Sequence, residues 1–251
     1  MKGPRGDGSG LVSHEYIGSA GNKSLALMLS KDASVIVDGH AMAYMDALLA
    51  IQTDLGGVGK ALGRWFGGED LFLNKYTGTG ATQQRIVLSM PFPGDIIDVK
   101  LSAGKGLKVS RNAFLAASPA SVDITGKMNW RALIPVGQDE GLVLTKVSAP
   151  PESDAVVWLA SYGHIEKHTL KNQEERMLVD NENFLACDVD VGYTIASVGG
   201  LKSLVFGGES FAMEFAGPCE LYTQTKGLKS FAATLQSFMT VSEGSGISIG
   251  F

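Results

Sequence analysis

Two stretches of the chain, GDIIDVKL at residues 94–101 and GHIEKHTL at residues 163–170, share one pattern of Gly, Ile and Leu. The second begins 69 positions after the first. The residues that follow also match, because VSRNAFLA occupies residues 109–116 and VDNENFLA occupies residues 179–186. A period that persists over such a length predicts a chain built from internal repeats.

A third, more diverged copy precedes these two. Leu29, Val37 and the segment DGHAMAY at residues 38–44 occur at nearly the same spacing. A separate marker, FGGE, stands at residues 66–69 and again at residues 206–209, which is two periods later. Two independent markers in one register indicate three copies of a unit of about seventy residues.

Short runs of alternating apolar and polar residues within each copy are typical of β-strands. One group of runs follows the FGGE marker or its equivalent, and the other closes each copy. The first group lies at residues 71–73, 142–144 and 211–213, and the second at residues 85–88, 156–159 and 220–223.

These patterns predict an all-β fold of three tandem β-sandwich repeats. We place the repeats at residues 22–93, 94–162 and 163–227, after an N-terminal arm at residues 1–21. A C-terminal helix and tail fill residues 228–251. Glycine makes up 32 of the 251 residues, about 13% against a usual share of roughly 7%, so turns between strands should be frequent.

The C-terminal region carries the one clear helical pattern. Phe231, Leu235 and Phe238 recur at helical spacing after Gly227, which predicts a short amphipathic helix covering an end of the array. Another helical turn is expected near residues 61–66. An open β array leaves unpaired strand edges, so we also expect the chain to form oligomers.

Charge and hydropathy argue against two classes of function. The net charge of −5 opposes the basic surface expected of a nucleic-acid-binding protein. No apolar run reaches the length of about 18 residues that a membrane span needs, and we expect a soluble chain. Residues 1–20 show neither a secretory signal nor an Arg-rich transit peptide, which favours a cytoplasmic location.

A Gly-rich segment, GGVGKA at residues 56–61, suggests a phosphate-binding loop. The motif requires Gly where Asp54 stands and Ser or Thr where Ala61 stands. We therefore interpret the segment as a loop between strands.

His164 and His168 are four residues apart, with Glu166 between them, and on a helix such a pair could bind a metal ion. The repeat places them on a strand, where their Cα atoms would lie roughly 13 Å apart, too far for one tetrahedral ion. We therefore interpret both histidines as polar residues at exposed positions of a strand. His14 and His40 have no partner in the sequence and are expected to be surface or capping groups.

Two further groups of residues are candidates for a metal-binding or other functional site. Cys187 and Cys219 match no metal motif and are expected to be reduced core residues. Glu69, Glu140 and Glu209 recur at equivalent positions and could form a ring of carboxylates, although ordinary strand-start residues are the simpler interpretation. No arrangement indicates a nucleophile, a base or a cofactor site, so no catalytic, cofactor-binding or metal-binding residue is assigned.

Several fragments together resemble one known family, that of the altered-inheritance-of-mitochondria protein. They are FGGEDLFLNKYTGTG (66–80), PFPGDIIDVKL (91–101), FLAASPASVDI (114–124) and GLKSLVFGGESFAMEFAGPCELYTQTKG (200–227). The resemblance extends over residues 15–227. It implies three units similar to the tryptophan RNA-binding attenuation protein, a small β-sandwich related to double-stranded β-helices. In bacterial members, nine such units in a trimer look like a closed ring.

The resemblance implies less about activity. Eukaryotic members are associated with organisation of the mitochondrial inner membrane, so a mitochondrial location is the alternative if the chain is eukaryotic. No catalytic residues can be carried over to this sequence. The expected function is a non-enzymatic homotrimeric scaffold whose ring engages a protein or a membrane-associated partner. The alternative is a module that binds a small molecule between adjacent β units, and an enzyme is the least favoured reading.

Overall fold

The computed structural model describes residues 5–6, 12–53, 72–110, 112–129, 143–196 and 212–238. These residues form twenty β-strands and one α-helix. The strands before Gly94 are β1 (Arg5–Gly6), β2 (Val12–Ser19), β3 (Asn22–Leu29), β4 (Ser34–Asp38), β5 (Met42–Met45), β6 (Ala50–Gln52), β7 (Leu73–Thr77) and β8 (Gln84–Leu88).

The remaining elements continue the same arrangement. They are β9 (Ile96–Leu101), β10 (Gly106–Ser110), β11 (Phe114–Ser118), β12 (Asp123–Asn129), β13 (Val143–Ser148), β14 (Ala155–Ala160), β15 (Ile165–Leu170), β16 (Arg176–Asp180), β17 (Phe184–Asp188), β18 (Tyr193–Ala196), β19 (Ala212–Ala216), β20 (Cys219–Gln224) and α1 (Leu228–Phe238). The predictions of an all-β fold and of a short C-terminal helix are confirmed, and strands occupy the runs predicted at residues 85–88, 156–159 and 220–223.

One pairing scheme occurs in three consecutive groups of strands, which we call set 1 (β3–β8), set 2 (β9–β14) and set 3 (β15–β20). In each set the sixth strand pairs with the first and the third, and the fifth pairs with the second and the fourth. All of these pairs are antiparallel. Each set therefore contributes two groups of three paired strands, and the described strands form sheets of five, six, six and three strands.

Neighbouring sets join through one strand pair, which we call a seam. The second strand of set 1, β4, pairs with the third strand of set 2, β11. The second strand of set 2, β10, pairs in the same way with β17 of set 3. The register is also the same, since Val37 lies opposite Ala116 and Val109 lies opposite Ala186. The two seams bury backbone hydrogen-bonding groups that would otherwise form exposed sheet edges.

Three valines allow the environments of the three sets to be compared. Val37, Val109 and Val179 lie in the second strand of each set, and each pairs with the fifth strand of its own set. Their exposed fractions are 0%, 0% and 5%. Like environments at these positions are what a repeat predicts, while the repeat boundaries at Gly94 and Gly163 stay a prediction.

The core is built across the seams as well as within the sets. One buried cluster contains Leu27 of set 1 together with Leu115 and Trp158 of set 2. Another contains Val109 of set 2 and Leu185 of set 3. Because each fully buried side chain of this size contributes about 1.5–3 kcal/mol, the sets stabilise one another through these shared clusters.

Two glycines allow adjacent sets to approach. A Cβ atom at Gly94 would collide with the backbone oxygen of Ser161, and Gly163 has a φ of +80°. These two glycines form an isolated parallel bridge where β9 and β15 begin. The starts of sets 2 and 3 therefore lie side by side, a placement that a larger residue at position 94 would prevent.

Candidate functional site

Each of the four sheets formed by the described residues has two edge strands, and two of these eight strands occupy positions that pair at the seams. The third strand of set 1, β5, pairs only with β8, and the second strand of set 3, β16, pairs only with β19. At the two seams, strands in these positions pair with each other. The two open edges therefore correspond to the two strands of a seam: β16 to the second strand and β5 to the third strand.

Side chains on the open edges are exposed where their counterparts at the seams are buried. Leu178 of β16 is 58% exposed, whereas Ile36 in the same position of β4 is 7% exposed. Tyr44 of β5 is 55% exposed, whereas Ala116 and Ala186 in the same position are fully buried. Large apolar side chains beside unpaired backbone are typical of an interaction surface.

A row of charged groups crosses the starts of the three sets. Lys23, Asp95 and His164 each lie six residues before the last Leu of their set's first strand. The Asp95 carboxylate is 3% exposed; its Oδ1 lies 2.5 Å from Lys23 Nζ and its Oδ2 lies 2.8 Å from His164 Nδ1. Asp95 thus connects equivalent positions of all three sets, and the buried carboxylate gains hydrogen bonds on both oxygens.

A second polar cluster attaches β2 to set 2. The Tyr16 hydroxyl donates a hydrogen bond of 2.8 Å to Asp98 Oδ1, and His14 Nε2 lies 3.6 Å from the same oxygen. His14 and Tyr16 hold the pKa of the Asp98 carboxyl well below its ordinary value, against the opposing effect of partial burial. The His14 ring is buried edge-on against Tyr16 and Trp158.

The expectation for His14 is therefore wrong. It was expected at the surface or at a cap, and it is 2% exposed on the inward side of β2. The sequence pattern did not identify β2, because this strand lies in the N-terminal arm outside the repeat. His40 is exposed beside Asp38, whose carboxylate accepts a hydrogen bond from the His40 backbone N–H, as expected of a capping segment.

His164 and His168 have separate partners. His164 contacts Asp95, and His168 Nε2 lies 2.9 Å from the Thr223 hydroxyl on β20. His168 lies on β15 as predicted, and His164 directly precedes that strand. In the described part of the chain, no group of three His, Cys, Asp or Glu side chains is placed to hold a metal ion.

The two cysteines are free and buried, as predicted. Burial raises the pKa of the Cys187 thiol to about 12 and also raises the pKa of Cys219. Both groups therefore stay protonated at neutral pH, which makes them poor nucleophiles.

Helix α1 begins beside set 3, where Ser230 donates hydrogen bonds from its backbone N–H and its hydroxyl to Glu182 Oε2. The Phe231 ring contacts Tyr162 at 5.3 Å between centroids. The side chains of Phe231, Leu235 and Phe238 are nevertheless 41–80% exposed. The helix exists as predicted, but its apolar face is not buried by this chain's described residues.

Several sequence predictions lie outside the described residues. They are the Gly-rich segment 56–61, the helical turn near 61–66, the tail after Thr240 and the three equivalent glutamates, Glu69, Glu140 and Glu209.

A cavity of about 530 Å³ opens at the seam between sets 2 and 3. Set 2 contributes Lys100 and Lys105 to its lining, and set 3 contributes Asp188 and Asp190. Beneath it, the nearly buried Lys108 donates a hydrogen bond of 2.7 Å to the carbonyl of Val191. No sequence pattern identifies these residues, because they come together only when β10 pairs with β17.

Within the described ranges, no helix has the length and hydropathy needed to cross a lipid bilayer.

Comparison with known proteins supports the same fold. A crystal structure of a Streptococcus pyogenes protein superposes with a TM-score of 0.71 at 23% sequence identity, covering 91% of this chain and all of that one. An uncharacterised protein from Streptococcus pyogenes serotype M6 is 26% identical over 222 residues, which is 85% of this chain and 86% of the relative.

The antiparallel sheets, the repeated pairing scheme and the two open edges define a β-rich protein of tandemly arranged strand sets. The family model described as mitochondrial biogenesis AIM24 matches residues 14–226. The chain belongs to this family, which confirms the resemblance found in the sequence.

Proposed function

We propose that this protein is a non-enzymatic scaffold in the cytoplasm, a homotrimeric β-ring that engages a protein or a membrane-associated partner. The observation that carries the proposal is the pair of open edges on β5 and β16. Each edge is one half of a seam that the chain already makes twice within itself. A second copy of the chain supplies the missing half for each edge.

The register of this intermolecular seam follows from the other two. Val37 opposite Ala116 and Val109 opposite Ala186 place Val179 of one copy opposite Tyr44 of the next. One position further along, Leu178 lies opposite Met45. The exposed apolar side chains of both edges would thereby be removed from water, at a gain of about 25 cal/mol per Å².

Two different surfaces that bind head to tail produce either a closed ring or an open fibre. The family resemblance implies closure at nine units, which three copies of a three-set chain supply. A closed ring also leaves no exposed sheet edge at this position, which removes the hazard of uncontrolled pairing.

The mass in solution tests the ring. Light scattering should return about 79 kDa, three times the chain mass of 26.4 kDa. Leu178→Asp and Tyr44→Asp each place a charge on one open edge and should reduce the mass toward that of the single chain. Thr82→Asp adds the same charge in an exposed turn and should leave the trimer intact.

Mixing the two edge variants gives a sharper result. A Leu178→Asp chain keeps a normal β5 and a Tyr44→Asp chain keeps a normal β16, so the mixture should form a heterodimer with twice the chain mass and proceed no further. A monomeric native protein, or edge variants that remain trimeric, would contradict the proposed interface.

A second candidate function is the binding of a small molecule between adjacent sets. The cavity at the seam of sets 2 and 3 favours it, since its volume of about 530 Å³ falls within the range of roughly 300–1,000 Å³ for small-molecule sites. This function is compatible with the ring, because the cavity lies within one chain.

A further inference from the structure

The cavity between sets 2 and 3 has walls of opposite charge. Lys100 and Lys105 approach it from the end of β9 and the start of β10, and Asp188 and Asp190 approach it from the end of β17 and the turn that follows. Neither lysine forms an ion pair with a described residue, and the same holds for Asp190. The charges therefore line one space without neutralising one another directly.

The two aspartates differ in their surroundings. One oxygen of Asp188 accepts a hydrogen bond of 3.1 Å from the backbone N–H of Glu220, which holds this carboxylate at the cavity wall. Asp190 is exposed in the turn before β18. The lining also includes the buried apolar side chains of Leu101 and Val191. The lining presents more polar than apolar surface and carries charges of both signs.

The seam between sets 1 and 2 lacks these charges. Its equivalent positions carry Met28 for Lys100, Ala33 for Lys105 and Ser118 for Asp188, when the sets are aligned on Val37, Val109 and the paired alanines. The seam itself does not require lysines or aspartates, since the chain builds the same strand pair without them. The charges at the second seam need another explanation.

We propose that this cavity binds a small zwitterion, a free α-amino acid. The two lysines bind its carboxylate and the two aspartates bind its ammonium group. The aspartates would repel a simple anion, and the lysines would repel a simple cation. Each would therefore bind less tightly than a molecule that carries both charges. The assignment deepens the second candidate function and does not depend on the ring.

Calorimetry on the full chain with three matched compounds tests the assignment. L-leucine carries both charges, 4-methylpentanoate lacks the ammonium group and 3-methylbutylamine lacks the carboxylate, while all three share one apolar group. At concentrations up to about 10 mM, leucine should bind at least roughly tenfold more tightly than either analogue, the equivalent of one lost charge contact. L-phenylalanine, with 3-phenylpropanoate and phenethylamine, provides a second series with a larger side chain.

Variants locate the binding site. Lys105→Ala and Asp190→Asn change exposed side chains and should each weaken amino-acid binding by roughly tenfold. Lys146→Ala, at an exposed lysine on β13 outside the cavity lining, is the matched control and should bind as the native chain does. Circular dichroism on all three variants verifies that the sheets are intact.

Three results would overturn the proposal in distinguishable ways. An analogue that binds as tightly as its parent amino acid would refute the zwitterion while leaving small-molecule binding at the seam in place. Amino-acid binding that both cavity variants leave unchanged would refute the site. No binding heat from either series would refute both this assignment and the second candidate function, and the mass of the oligomer would be unaffected.

Discussion

The paired seams and the open edges are built from strands in the same positions, yet their side chains differ in exposure. Ile36 and Lys108, on the second strands of sets 1 and 2, are 7% and 9% exposed, whereas Leu178 on the second strand of set 3 is 58% exposed. The difference lies in the neighbour, because β4 and β10 each have a partner strand from the next set and β16 has none among the described residues. At these positions a side chain is buried where a strand of the neighbouring set covers it, and exposed where no described strand does.

Polar contacts between the sets also differ from those at the open edge. At the starts of the sets, Asp95 connects groups from all three sets and is almost fully buried. At the open edge, the ion pair between Arg176 and Glu214 lies within set 3, and its side chains are 65% and 28% exposed. Contacts that cross between sets should therefore contribute more to stability than those at the edge.

The largest effect is expected from the bulged third strand of a set. Phe114 of β11 is 1% exposed, and Met42 in the same position of β5 is 40% exposed. Phe114→Ala should lower the free energy of unfolding by about 3–5 kcal/mol, because it leaves a cavity in the core. Met42→Ala should cost less than about 1 kcal/mol at protein concentrations that keep the chain monomeric. Urea unfolding of both variants measures the difference, and equal losses would remove the distinction between seam and edge.

The charged row should give the next largest effect. Asp95→Asn keeps the size of the side chain but removes its charge and one of its two accepting oxygens, so Lys23 and His164 no longer share a carboxylate. The expected loss of stability is about 2 kcal/mol, the usual contribution of hydrogen bonds to a charged group. Thermal unfolding of this variant beside Glu15→Gln, whose carboxylate is about half exposed, separates the buried contact from an ordinary surface ion pair.

A smaller effect, dependent on pH, is expected at Asp98. Its pKa is lower in the folded chain than in the unfolded chain, so the stabilisation is complete above an unfolded pKa of about 4 and is lost as the pH falls toward the folded value. Asp98→Asn should cost about 1.5 kcal/mol at pH 7. Its stability should also fall less steeply below pH 4 than that of the native chain. Parallel acid-unfolding curves would refute the coupling to His14 and Tyr16.

The smallest effect belongs to the open edge. Arg176→Gln removes an exposed ion pair on β16 and should change the free energy of unfolding by less than about 1 kcal/mol. Chemical unfolding at protein concentrations that keep the chain monomeric measures the change, and a loss there as large as that of Asp95→Asn would contradict it. A loss that grows with protein concentration would place the residue in the proposed intermolecular seam.

Much of the fold could be predicted from local patterns. The alternation near residues 85–88, 156–159 and 220–223 identified β8, β14 and β20, and the helical spacing of Phe231, Leu235 and Phe238 identified α1. Local sequence patterns reveal these elements because the position of a residue within its own strand or helix decides which face its side chain occupies. Strand β2 was missed because it is not part of the period.

The candidate sites could not be predicted in the same way. Asp95 meets Lys23 and His164, and Lys105 and Asp190 line one cavity, only after strands far apart in sequence have paired. No local spacing contains this information, since the register of a strand pair depends on both strands. His14 shows the same limit, because its burial depends on Trp158 of set 2, which is distant in the sequence.

By itself the sequence determined the all-β class, the helix and the family. Each of these depends on residues close together in the chain. Only the tertiary structure decided which strands form seams, which edges remain open and which charges share a cavity. These follow from long-range backbone pairing, and the hydrogen bonds that direct such pairing are the same for every residue type except proline.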